Sequence, residues 1–305
     1  MRKGEAADKP VKERPLDMEL LERLKSRAPG WLKLEELAGR EGVAGEEVES
    51  ALEALEGFGF QFEHHPYTGI RYVGPAERLC PDQMEWKLAT KLVGRRISVW
   101  NRVVSTNDLA MRAARSRANE GLVVLAEEQT RGRGRRGRQW FAPPRSSILF
   151  SVLLFPSRGC RGARLLTSLG AVATAETIEQ ATGLEIEIQW PNDVCVGGRK
   201  LAGILVEQSA GTVIGIGVNV NASADDFPMH LAHQVTSLAI LTGRRWDRSE
   251  LCRRLIERLD HWYGASNADG PQGVWSRFAE LRRLEEGPVE SERVRSSTAS
   301  DGDGR

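Results

Sequence analysis

Apolar positions recur at helical spacing near the start of the chain and at strand spacing further on. Met18, Leu20, Leu21 and Leu24 predict a helix over 18–26, and a second short helix follows over 34–39. Val48, Leu52 and Leu55 share one face of a third helix over 44–57, bracketed by Gly45 and Gly57. Phe60-Gln-Phe-Glu alternates, His65-Pro-Tyr-Thr-Gly turns, and Ile70-Arg-Tyr-Val alternates again, which predicts a β-hairpin. Three short helices followed by a hairpin is the order of a winged helix-turn-helix. A helix over about 82–92 links this unit to the rest.

From residue 96 the character changes. Strands are predicted over 97–104, 122–127, 148–154, 186–190, 194–196, 201–208 and 213–220, and helices over 107–118, 163–182, 251–263 and 274–281. Gly183 is placed to cap the long alanine-rich helix, and Gly197-Gly198 to turn a two-residue hairpin. The ends, 1–15 and 285–305, carry almost no apolar side chains and are expected to be disordered. The expected organisation is a tail over 1–15, a winged helix over 16–75, a linker over 76–95, a second domain over 96–284 and a tail over 285–305. The fold class is α+β.

Composition narrows the partners. Of the 305 residues 40% are hydrophobic, and the formal net charge is +1, so any charge effect must be local. Residues 17–75 hold twelve acidic side chains against six Lys/Arg, a balance of −6. The third helix carries Glu46, Glu47, Glu49, Glu53 and Glu56 and no basic residue. DNA affinity rests on Lys and Arg neutralising phosphates, so this helix would be repelled, and a structural or protein-contact role is expected. No run reaches the length of a membrane span and 1–16 lacks the apolar stretch of a signal peptide. The four cysteines (Cys80, Cys160, Cys195, Cys252) form no Cys-x-x-Cys pair and read as reduced thiols of a cytoplasmic, soluble protein.

The segment that stands out is Gln129–Trp140. Residues 131–138 are five arginines and three glycines and nothing else. With no apolar side chain to bury and with like charges repelling, it reads as a mobile loop between two buried strands. Glycine lets backbone approach a ligand closely, and arginine offers a permanent planar charge suited to phosphate and carboxylate. The alternatives are an exposed basic linker or an RNA-binding tract; the latter lacks interleaved aromatics. Four further stretches are each weak alone. Ser105-Thr106-Asn107 ends a strand and opens a helix, where it caps the helix or hydrogen-bonds a small polar ring. Trp190-Pro-Asn192-Asp turns between strands. Lys200 starts a strand in which Gly203 permits close approach. Gly215-Ile-Gly-Val-Asn219 ends a buried strand with an amide.

Together and in this order the five stretches resemble the biotin–protein ligases. The likeness covers about 96–282, and the N-terminal unit is similar to that of the bifunctional, DNA-binding branch. The resemblance implies a class II synthetase-like mixed β-sheet with helices packed on it. It implies biotin and ATP as substrates with Mg²⁺ carried on ATP, and biotin transfer through biotinyl-5′-adenylate to a lysine of a biotin carboxyl carrier protein. It also implies a biotin site of Ser105, Thr106, Asn107, Gln129, Arg133, Gly134, Arg135, Lys200 and Gly203, with Lys200 and Arg135 catalytic. Arg133, Arg136, Arg138, Trp140, Asn192 and Asn219 would face ATP. The family's repressor activity and a lipoate ligase are the alternatives, and a homodimer is left open. Two departures stand out: Gln189 occupies a position usually basic in the family, and the family's closing β-barrel reads as lost after Gly287-Pro-Val.

Overall fold

The computed structural model describes residues 15–38 and 45–282. The expected tails at either end, and the stretch where the closing barrel was sought, lie outside these residues. Asp17 starts α1 (Met18–Arg27) by accepting the Leu20 N–H at 2.8 Å. α2 (Leu34–Ala38) and α3 (Gly45–Phe58) follow, and α3 buries Val48, Leu52, Leu55 and Phe58. It runs through Gly57 and stops at Gly59, whose φ of 117° breaks the helical backbone. β1 (Gln61–His65) and β2 (Gly69–Gly74) form an antiparallel hairpin. These elements enclose a core of their own, with Leu21, Leu24, Leu55, Phe58 and Ile70 among its members. The five glutamates of α3 are all exposed, as their spacing against the apolar stripe requires.

The linker corrects one expectation. α4 (Pro81–Glu85) is one and a half turns, not the longer helix anticipated over 82–92. Trp86 turns aside and its indole N–H donates to Glu22 Oε2 at 2.8 Å. The backbone N–H groups of Lys91, Leu92 and Val93 then converge on the Asp260 carboxylate at 2.7–2.8 Å. Charge-assisted bonds to another element replace the i→i−4 ladder, so tertiary contact overrides local periodicity here.

The remainder builds one sheet. In chain order come β3 (Arg96–Val103), α5 (Thr106–Ala113), β4 (Leu122–Gln129), β5 (Ser147–Leu154), α6 (Ala163–Thr182), β6 (Glu187–Gln189), β7 (Asp193–Val196), β8 (Arg199–Gln208), β9 (Thr212–Asn219), α7 (Leu238–Thr242), α8 (Arg248–Asp269) and α9 (Gln272–Leu281). The seven strands lie in the order β3-β4-β5-β9-β8-β7-β6. β3 and β4 are parallel, joined by α5, and every other pair is antiparallel. α5 is shorter than the predicted 107–118 because Ser116 starts a separate 3₁₀ turn by accepting the Ala118 N–H. Gly197 and Gly198, at φ 54° and 74°, make the expected two-residue turn between β7 and β8.

Strand alternation gives the sheet two different faces. Ile148, Phe150, Val152, Ile204, Ile214 and Ile216 join the core beneath α6 and α8. Gly170 of α6 lets that helix close against Ile204 and Ile214. The alternate residues face the other way, toward α5 and the Arg-Gly segment, and the site is built there.

The two cores meet at a buried junction. Arg248 and Glu127 form an ion pair at 2.7 Å with side chains 3% and 6% exposed. Arg248 also donates to the Ser147 and Glu77 carbonyls, and Glu127 accepts the Leu79 N–H at 2.5 Å. Lys25 of α1 pairs with Asp247 at 2.8 Å. Both terminal nitrogens of Arg248 and both oxygens of Glu127 therefore have partners, which is what burial of two charges demands.

Candidate active site

The Arg-Gly segment is a folded hairpin, not the unstructured loop its composition suggests. Thr130 and Arg131 donate backbone N–H groups to Val103 and Val104 at 2.9 and 3.0 Å. Trp140 donates to the Gly132 carbonyl at 3.0 Å and Gly134 to the Arg138 carbonyl at 2.7 Å. The tip is a tight turn with Arg136 at φ 56° and Gly137 at φ 73°. Backbone pairing and the anchoring of particular side chains supply what a count of apolar residues misses.

Arg133 is the strongest of those anchors. Its guanidinium donates to both oxygens of Asp108 at 2.7 and 3.1 Å and to both oxygens of Glu207 at 2.9 and 3.2 Å. These bonds, Asp108 first and Glu207 second, drive the Arg133 pKa above its already high value. Arg135 donates to Asn192 Oδ1 at 3.0 Å. Arg136 and Arg138 are exposed at the tip.

Beneath the hairpin lies a polar nest. Ser105, Thr106 and Asn107 are all buried where β3 hands over to α5. Ser105 sits at the N-cap but makes no side-chain capping bond, so helix capping does not explain it. The Gln129 Oε1 accepts from the Thr106 N–H at 2.8 Å and from its hydroxyl at 3.1 Å. Its amide –NH₂ is thereby turned away from Thr106. Ser151 of β5 donates to Asn107 Oδ1, and the Asn107 –NH₂ donates to Glu207 at 2.7 Å. The result is a set of amide donors and hydroxyls with fixed orientation, suited to a small neutral ring with polar edges.

A second group stands beside the first on β8 and β9. Lys200 pairs with Asp193 at 2.8 Å and its Nζ is 5.4 Å from the centre of the Trp140 ring. Asn192 donates to Asp193 at 2.8 Å. Gly203 and Gly217 are register partners on adjacent strands, and the Trp140 indole lies across both. A Cβ on Gly217 would come within 2.4 Å of that ring, and one on Gly203 within 3.0 Å of the ring and 3.1 Å of Lys200 Cε. A Cβ on Gly215 would meet Asn107 Oδ1 at 2.3 Å. The Gly-Ile-Gly motif thus makes room for one side chain of each group, and the two groups are two residues, about 7 Å, apart along β9. Asn219 is buried and donates to the Thr236 carbonyl at 3.0 Å, while its Oδ1 and the Thr236 hydroxyl have no partner.

Every expected site residue except Gly134, Asn219, Arg136 and Arg138 is thus drawn into or tied to one of the two groups, Gly134 serving in the hairpin backbone. Asn219 continues the second group along β9 to Thr236, next to Lys200 in space through the Thr236 N–H bond to the Lys200 carbonyl at 2.9 Å. Gln189 is exposed on the edge strand β6. Sequence reasoning assigned no role to Asp108, Ser151, Asp193 or Glu207. Ser151 could have been noticed as a lone polar residue inside an apolar strand. Asp193 lay inside the Trp190–Asp193 stretch already marked, and Glu207 near the end of the strand that Lys200 starts.

This geometry agrees with what is found by comparison. Residues 99–221 match the Biotin/lipoate A/B protein ligase family. The bifunctional ligase/repressor BirA of Bacillus spizizenii is 33% identical over 236 residues, covering 72% of this chain and 73% of that protein. The biotin–[acetyl-CoA-carboxylase] ligase of Mycobacterium tuberculosis is 34% identical over 195 residues, covering 60% and 72%. Among solved structures, the biotin protein ligase of Aquifex aeolicus in complex with biotin and ATP superimposes with a TM-score of 0.57 at 26% identity, covering 63% of this chain and 84% of that one. With a likeness that spans both the chain and its relatives, and with each motif folded into one site, the protein belongs to the ATP-dependent biotin–protein ligase family.

Proposed function

We propose that the enzyme condenses biotin with ATP to biotinyl-5′-adenylate, releasing pyrophosphate, and transfers biotin to one lysine of a biotin carboxyl carrier protein domain. The observation that carries this reading is the adjacency of the two groups on one sheet face. The nest of Thr106, Asn107, Gln129 and Ser151 suits the ureido ring. Lys200, beside Trp140 on the Gly203–Gly217 platform, suits the meeting point of the biotin carboxylate and the α-phosphate.

Carboxylate attack on a phosphate brings two anions together, and a fixed cation between them offsets the repulsion and the charge that develops. Lys200 supplies that cation, with Arg135 next to Asn192 and Arg136 and Arg138 at the hairpin tip. No protein nucleophile is required, since the biotin carboxylate attacks. Trp140 and the hairpin cover the site and keep water from the acyl-adenylate. Asn219 faces the nucleotide. Among the described residues no group of three His, Cys, Asp or Glu side chains could hold a metal ion. Asp193 is already engaged with Lys200 and Asn192. That donor set fits Mg²⁺ held chiefly by the triphosphate oxygens, where it would neutralise charge on the leaving pyrophosphate.

The catalytic unit occupies 96–282 of the described residues and the N-terminal unit 16–75. The exposed glutamates of α3 favour a structural or protein-contact role for the latter over operator binding. Among the described residues no helix is long and apolar enough to cross a membrane. The four buried free cysteines suit a reducing cytoplasm.

The test is incubation with biotin, ATP, Mg²⁺ and a carrier domain, followed by mass spectrometry of the acceptor. A biotinyl lysine is expected, and none when ATP is omitted. Modification by lipoate in place of biotin would overturn the substrate assignment.

A further inference from the structure

Ser151 is 0% exposed, between Phe150 and Val152 in the middle of β5. Its hydroxyl oxygen nevertheless lies against two residues of the nest, 2.7 Å from Thr106 Oγ1 and 2.5 Å from Asn107 Oδ1. A serine hydroxyl has one hydrogen, so it cannot donate to both. Asn107 decides between them. Its –NH₂ donates to the Glu207 carboxylate at 2.7 Å, so the amide oxygen is the atom turned to Ser151. An amide oxygen has no hydrogen to give, and Ser151 must donate to it. The contact between Ser151 and Thr106 then needs the Thr106 hydrogen, because two oxygens 2.7 Å apart with none between them would repel. Gln129 Oε1, at 3.1 Å from the Thr106 hydroxyl, takes at most a minor share of that hydrogen and is held by the Thr106 N–H at 2.8 Å. Hydrogen-bond polarity therefore runs one way, from Thr106 to Ser151 to Asn107 to Glu207, and each bond polarises the next. No residue of 131–138 belongs to this chain.

We propose that Ser151 is a positioning residue that fixes the Thr106 hydroxyl as a hydrogen-bond acceptor toward the ring, so that the nest selects a ring bringing an N–H to that point. With its hydrogen spent on Ser151, Thr106 Oγ1 has only lone pairs to offer. The Gln129 –NH₂, turned away from Thr106, has only hydrogens to offer. Together they match the edge of a cyclic urea, where an N–H stands beside a carbonyl. They oppose a ring that brings oxygen or sulfur to Thr106, as a cyclic carbamate or a dithiolane would. Ser151 is fully enclosed, so it imposes this choice without touching the ring. The inference rests on the reading of the nest as the ureido site.

The experiment follows pyrophosphate release by the full chain with biotin and with its two cyclic carbamate analogues, in which one or the other ring N–H is replaced by oxygen. Wild type should use at least one analogue about a hundredfold less efficiently than biotin, because two acceptors then face each other. In Ser151→Ala the Thr106 hydroxyl is free to turn its hydrogen toward the ring. The biotin KM should rise by about tenfold, the size of one misdirected hydrogen bond, while kcat and the ATP KM stay within about threefold. The same variant should use the rejected analogue at least as well as wild type does. The ratio of kcat/KM for biotin to that for the analogue should therefore narrow by about tenfold or more. A merely structural defect would weaken both ligands alike and leave the ratio where it was.

A ratio unchanged for both analogues in Ser151→Ala would overturn the proposal, and so would a wild-type enzyme that uses both analogues as well as biotin. Should Ser151→Ala not fold, Thr106→Val serves instead, because it keeps the shape and removes the lone pairs. It must then narrow the same ratio, and Thr106→Ser must leave it as in wild type. Wild type that activates biotin, with a ratio these variants do not move, refutes the role of Ser151 alone. Wild type that makes no biotinyl-adenylate refutes the ligase reading and this inference with it.

Discussion

Gly215→Ala is the most discriminating change the site offers. Gly215 lies in a regular strand paired with Ser151 and Leu205, so alanine meets no backbone objection. The whole effect must come from the added methyl. Its position falls 2.3 Å from Asn107 Oδ1, 2.9 Å from Nδ2 and 3.0 Å from Cγ, and no other residue is as near. Asn107 cannot yield cheaply, because Ser151 holds its oxygen and Glu207 its nitrogen. Displacing the amide breaks one neutral bond worth about 1 kcal/mol and one charged bond worth roughly 1.5–3 kcal/mol. Alanine returns about 0.5–1 kcal/mol by restricting the unfolded chain. The expected net loss is about 2–3 kcal/mol, a fall in Tm on the order of 5 °C for a chain of this size.

The binding consequence is separate. If Asn107 reads the ureido ring, losing that contact raises the biotin KM by about tenfold or more. Lys200 and Trp140 stand on other residues, so the ATP KM should stay within about threefold. Pyrophosphate release at varied biotin and at varied ATP measures the two KM values, and thermal unfolding measures the loss of stability. The double variant Asn107→Ala/Gly215→Ala removes the clash but leaves the same two hydrogen bonds unmade, so it should match Asn107→Ala in stability and recover none of the biotin affinity. A Gly215→Ala enzyme with wild-type Tm and biotin KM would refute the reasoning, since the amide would then have another place to go.

Four more outcomes are expected. Lys200→Ala should slow adenylate formation by at least about a hundredfold, because a transition-state cation exceeds an ordinary charged hydrogen bond; pyrophosphate release within tenfold of wild type would remove Lys200 from the chemistry. Arg248→Met strands the buried Glu127 and should cost about 3–5 kcal/mol in chemical denaturation, whereas replacing both by apolar residues should cost less. Burial pushes the Cys80 thiol from 9.0 up to about 12. The unfolded chain therefore releases this proton first as pH rises, and the stability contribution, complete below pH 9, is lost progressively above it. Thermal unfolding from pH 8 to 10.5 should decline more steeply for wild type than for Cys80→Ala, and parallel curves would refute the assignment. The N-terminal unit should give no sequence-specific gel shift at micromolar protein even in low salt, given the exposed glutamates of α3.

The linear pattern determined much of this. Apolar spacing of two or three to four residues marks which face of each element is buried, and that is set locally by backbone geometry. So the long helix to Thr182, the strands of the sheet and the turn at Gly197-Gly198 were all legible, as was the order of five motifs. What the pattern could not supply was any property decided between distant residues. The linker helix ends at Trp86 because Glu22 and Asp260, far away in sequence, offer better partners. The Arg-Gly segment looks unfoldable by composition yet folds, because Asp108 and Glu207 reach Arg133 from 25 and 74 residues away. Gly203 reads as room for a close approach and Gly215 and Gly217 as part of a buried strand, and none of the three has a positive φ. They are bare because Trp140, Lys200 and Asn107 lie against them, and only packing in three dimensions puts those side chains there.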